Sequence, residues 1–122
     1  MILDDDFLLR RIINNNYYMG KLIDPKPNHH CFELRDGETG VSVNLKSLIS
    51  YDDFLKLPGA KPNSLVCEAM VKEIRNLKLE IEIVPMDNSP GHCEIRSTAE
   101  ADLKNKGGRL KLCEVFKLVN NL

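Results

Sequence analysis

The sequence predicts an α+β domain: one mixed or antiparallel sheet of about four or five strands, with helices packed mainly on one face. Three observations predict it. Residues 31–44, CFELRDGETGVSVN, read as two short strands joined by a polar turn. Residues 77–83 alternate strictly, with Leu77, Leu79, Ile81 and Ile83 set against Lys78, Glu80 and Glu82, the pattern of a half-buried strand. Helical spacing follows in Val71–Asn76, and again where Leu112, Val115, Phe116 and Val119 fall on one face.

In chain order, Phe7–Ile13 is the first strand. Phe7, Leu9, Arg11 and Ile13 share one face and Leu8, Arg10 and Ile12 the other. Both sets are largely apolar, so the strand is expected to be covered on both sides, with one arginine on each. Asn14 to Asn16 should end it, and Asp24-Pro25-Lys26-Pro27-Asn28 should form a loop. In the 31–44 stretch, a four-residue turn at Asp36–Thr39 would set Leu34 opposite Val41 and Phe32 opposite Val43. Those four side chains would make one apolar patch, leaving Cys31, Glu33, Ser42 and Asn44 on the other face.

Ser50 is an expected N-cap of a short helix, which Pro58-Gly59 closes. Residues 65–70 fit strand or helix equally, and residues 71–76 fit a helix. Pro85–Gly91 is a turn-rich connection into the alternating His92–Ser97. Thr98 is a second expected N-cap, and Gly107-Gly108 should interrupt the chain before a C-terminal segment that favours helix over strand.

A chain of 122 residues has the size of one domain, so residues 1–122 are taken as a single unit. With 17 basic and 18 acidic residues, balanced between the two halves, there is no electrostatic case for nucleic acid or an anionic membrane. The C-terminal 27 residues carry 6 basic and 3 acidic groups, a mild bias only. No apolar run approaches the ~20 residues of a membrane span, and the acidic start MILDDD is unlike a secretory leader. The expected compartment is the cytoplasm. Cys31, Cys67, Cys93 and Cys113 contain no CxxC pair, so they are expected to be reduced, buried thiols.

Leu9-Arg10-Arg11, Gly40-Val41-Ser42-Val43 and Asn88-Ser89-Pro90-Gly91-His92 resemble segments of a group of short uncharacterised bacterial proteins. The resemblance implies a small single domain and draws attention to Arg11, Ser42, Asn88 and His92. It implies no activity.

Four constellations could carry chemistry. His29, Cys31, His92 and Cys93 offer the nitrogen and sulfur donors that zinc prefers, although the tight spacing of zinc motifs is missing. A Cys/His nucleophilic pair is conceivable among four cysteines and three histidines. The loop bearing Asn88, Ser89 and His92 could deliver an amide, a hydroxyl and an imidazole into a cleft. Arg10 and Arg11, on a covered strand, need a carboxylate partner or an anionic ligand, the carboxylate being the preferred expectation. No metal or cofactor is the leading expectation.

Two functional readings follow. The first is an accessory or protein-interaction domain acting through a protein partner or a second copy of the chain. The second is a small-ligand binder or enzyme using His92 and Asn88, with Arg11 holding an anion and Ser42 a further ligand-binding candidate. A concave pocket shared by His92 and Arg11 would favour the second; an exposed apolar patch or sheet edge would favour the first.

Overall fold

The computed structural model describes residues 2–13, 27–62 and 64–119. The expected turn at Asn14–Asn16 and most of the proline loop lie outside them. Six strands form one sheet: β1 (Phe7–Ile13), β2 (Val41–Leu45), β3 (Ser64–Met70), β4 (Glu80–Ile83), β5 (His92–Arg96) and β6 (Lys117–Leu118). Their spatial order is β4-β5-β2-β1-β3-β6, and every pairing is antiparallel. Three helices, α1 (Tyr51–Leu55), α2 (Val71–Asn76) and α3 (Lys106–Val115), accompany it. The α+β class and the antiparallel sheet stand, but the described residues form six strands rather than four or five.

Strand β1 is central, and its alternation fixes two unequal layers. Leu8 and Ile12 join the main core with Cys67, Val43, Ile95, Val71 and Ile74, closed by Leu112 and Phe116 at the end of the chain. On the other face Leu9 packs with Phe54 and Val66, bordered by Tyr51, Leu55 and Leu57. Thus α2 and α3 cover one side and α1 the other, correcting the expectation of helices mainly on one face.

The expected hairpin over residues 31–44 does not form. His29–Phe32 is a 3-10 turn, capped by Asn28, whose side chain accepts from the His30 amide at 3.0 Å. Strand β2 pairs instead with β5, Val41 opposite Ile95 and Val43 opposite Cys93, and with β1. Phe32, Val41 and Val43 are still buried in one core, with Leu34 packed against it. The apolar pattern therefore reports shared burial and not strand pairing: Phe32 meets Phe116, ring centroids 5.0 Å apart. Gly40 explains how tightly β2 enters the sheet, since a Cβ there would lie 2.8 Å from the Ile95 carbonyl oxygen.

Ser50 caps α1 as expected, accepting from the Asp53 amide at 3.1 Å. Residues 65–70 resolve as strand, and 71–76 as helix. Thr98 caps no helix; its hydroxyl donates to the Lys78 carbonyl and accepts from the Glu100 amide in a local turn. Gly107 and Gly108 do not interrupt either. They occupy the first turn of α3 under the Asn105 cap, and a Cβ on Gly108 would fall 1.9 Å from the Asp102 carbonyl oxygen. The C-terminal segment divides: helix to Val115, then the two-residue β6. None of the described helices is long and apolar enough to cross a membrane.

Candidate functional site

Strands β1 and β2 pair at Leu8–Leu45 and Leu9–Asn44, and their ladder goes no further. Arg10 replaces the missing bonds. Its Nε and one terminal nitrogen donate to the Cys31 carbonyl at 3.0 and 2.8 Å, and the other terminal nitrogen donates to the Ser42 carbonyl at 2.7 Å. One guanidinium thereby ties β1 to the 3-10 turn and to β2. Burial lowers the Arg10 pKa, against the opposing influence of Cys67, Cys31 and Glu38. A guanidinium nonetheless stays protonated in proteins.

Arg11 points to the opposite face. It donates to the carbonyls of Leu57 at 2.8 Å, Pro58 at 3.2 Å and Phe54 at 3.4 Å, and lies 5.5 Å from the centre of the Phe54 ring. These carbonyls lie at the end of α1 and in the turn just beyond it, where a cation is favoured, and those of Phe54 and Leu57 also accept from the Leu57 and Ala60 amides. The expected carboxylate partners are not found: among the described residues neither arginine forms an ion pair. Nothing in the sequence marks a backbone carbonyl as a partner.

A groove of about 1020 Å³ opens over this region. Arg10, Arg11, Ser42, Asn88, Ser89 and His92 all line it, so the structure gathers the candidate residues of three separate segments. Strand register accounts for part of this, because Asn44 faces His92 and Ser42 faces Glu94 across the β2–β5 pair. The loop is fixed by a tight turn in which Met86 and Ser89 exchange backbone bonds of 3.1 and 2.9 Å. Ser89 is buried and its hydroxyl donates to the Asn44 side-chain oxygen. Asn44, missed as a site residue, is the buried partner that orients it. His92 Nδ1 lies 2.8 Å from the Val84 carbonyl oxygen. A carbonyl can only accept, so Nδ1 carries the proton and Nε2 is the open position of the ring.

The thiols are placed differently. All four cysteines are buried. Burial pushes Cys31 up to about 12 and Cys93 up to about 11, and raises Cys67 as well. A nucleophilic thiolate needs the opposite environment. Nor does the alternative zinc set assemble: no three of His29, Cys31, His92 and Cys93 bring ligand atoms within 4.8 Å among the described residues. Adjacent strand positions project to opposite faces, which separates His92 from Cys93.

The comparisons with known proteins add no relative: no protein-family model, no curated protein and no solved structure matches the chain.

Proposed function

We propose that this chain is a binding domain that works through a protein partner, receiving an extended segment of that partner in the groove beside β1. One observation carries the reading. Apart from His92 Nε2, the groups singled out for chemistry in the groove are already bonded or withdrawn. Arg10 and Arg11 hold carbonyls, the Ser89 hydroxyl holds Asn44, and the Cys31 thiol is buried. What they present is shape, two positive charges without carboxylate partners, and amide and imidazole edges at Asn88 and His92. A volume near 1020 Å³ lies at the upper end of small-molecule clefts, which suits a peptide segment. The four residues picked out by the bacterial resemblance all line this groove, and elsewhere β4 is a sheet edge with Ile83 exposed.

Site-specific photo-crosslinking tests the reading. A photoreactive side chain at position 42 or 88 should give one discrete protein adduct in extracts of the producing cells, competed by unlabelled wild-type chain. The same group at Lys104, outside the groove, should give none. Equal labelling from all three positions, or none from 42 and 88, contradicts it.

The open Nε2 of His92 favours a second reading, a small-ligand binder or enzyme with His92 as proton carrier. Turnover or saturable binding of a small molecule that His92→Gln abolishes would establish that reading in place of the first.

A further inference from the structure

The 3-10 turn that displaced the expected hairpin brings together three donors that the sequence did not single out as a set. His29 and His30 are its first two residues and Glu33 is its C-cap. Residues three apart in a 3-10 turn eclipse one another, so His30 and Glu33 meet, Nδ1 against Oε1. The His29 ring stacks on that of His30, centroids 4.0 Å apart and planes tilted by 37°. One ligand atom from each of the three residues lies within 4.8 Å of the others. A second observation is independent of this spacing: His29 Nδ1 is buried with no hydrogen-bond partner. An orphaned imidazole nitrogen carries a desolvation penalty that a bound ion would remove.

We propose that His29, His30 and Glu33 form a binding site for a zinc-like divalent cation, with three protein ligands and an open position for water or a partner's side chain. Two imidazoles and one carboxylate are a donor set that zinc accepts at about 2.0–2.2 Å. At those bond lengths tetrahedral ligand atoms sit ~3.3 Å apart, so the ion requires small side-chain movements and no refolding. Cys31, between the ligands in sequence, turns into the core and takes no part.

The competing arrangement is specific. Arg109 Nε is also buried without a partner, and the Arg109 charge acts on His29, so a bond between these two groups is the alternative that needs no metal. His30 and Glu33 also line the groove, yet the site stands whether or not the groove takes a protein.

The test uses the full chain, stripped with chelator and titrated with Zn²⁺ alone under calorimetric and native-mass detection. One ion per chain, surviving gel filtration, is expected. His30→Gln and Glu33→Gln should each weaken binding at least about tenfold. Co²⁺ substitution should give visible d–d bands without thiolate charge-transfer absorption. Because Co²⁺ reports on the folded wild-type chain, the test does not depend on the variants folding. No stoichiometric uptake, uptake unchanged in both variants, or a thiolate band overturns the site. Repeating the crosslinking assay with chelated protein separates this proposal from the groove reading.

Discussion

Arg10 and Arg11 are neighbours in sequence, yet they solve different problems on opposite faces of one strand. Arg10 fills the place where the β1–β2 ladder stops and joins three segments by bonds to Cys31 and Ser42. Arg11 gathers the carbonyls at the end of a five-residue helix and covers the Phe54 ring. Both avoid carboxylates, so both keep a positive charge at the groove. The difference teaches that one residue type on one strand can serve as sheet mortar on one side and as a helix cap on the other. What decides is which backbone carbonyls each face brings within reach.

Replacing each arginine by methionine, which keeps much of the apolar stem, should separate the two roles. Arg10→Met removes the guanidinium bonds to two carbonyls of different segments and should cost about 2–4 kcal/mol in denaturant unfolding. Arg11→Met frays the end of α1 and should cost about 1–2 kcal/mol. Equal losses would break the comparison. Thiol reactivity sharpens it. In the native wild type all four buried cysteines should resist a thiol reagent at pH 8, and Arg10→Met should expose Cys31 while Arg11→Met leaves it protected.

The smallest effect concerns a conventional ion pair used as contrast. Glu94 accepts from the Thr39 hydroxyl at 2.7 Å and from Arg96 at 2.9 Å, and these bonds hold its carboxyl below the ordinary carboxylate range. A native pKa below the unfolded one stabilises the fold at neutral pH, and the benefit fades as pH falls through the lowered native value. The deficit of Glu94→Gln should therefore shrink on acidification, measured by urea unfolding between pH 7 and pH 3. The deficits of the two arginine variants should persist, because carbonyl acceptors do not titrate in that range.

The strands were legible wherever alternation met a partner of matching polarity. Ile81, Ile83 and Cys93, Ile95 marked β4 and β5, and the doubly apolar β1 announced its central place. The 31–44 hairpin was misread because the apolar pattern of Phe32, Leu34, Val41 and Val43 is met equally well by distant partners. Only the Asn28 cap favoured the turn that formed instead. Gly107-Gly108 read as a breaker because close approach to the Asp102 carbonyl leaves no mark in sequence. Of the groove, Arg11, Ser42, Asn88, Ser89 and His92 were singled out from sequence. Asn44 was not, although its register opposite His92 would have followed from a correct β2–β5 pairing. The spacing of His30 and Glu33 held a usable signal once a 3-10 turn was considered.

The central claim is that carbonyl-bound guanidiniums shape the groove, and one experiment reads it directly: hydrogen exchange at the arginine Nε–H groups, followed by ¹⁵N NMR of the folded chain. The Arg10 Nε–H, bonded to the Cys31 carbonyl, should exchange slowly. The Arg11 Nε–H, which forms no such bond, should exchange faster. An Arg10 signal exchanging as fast as that of exposed Arg35 would contradict the account.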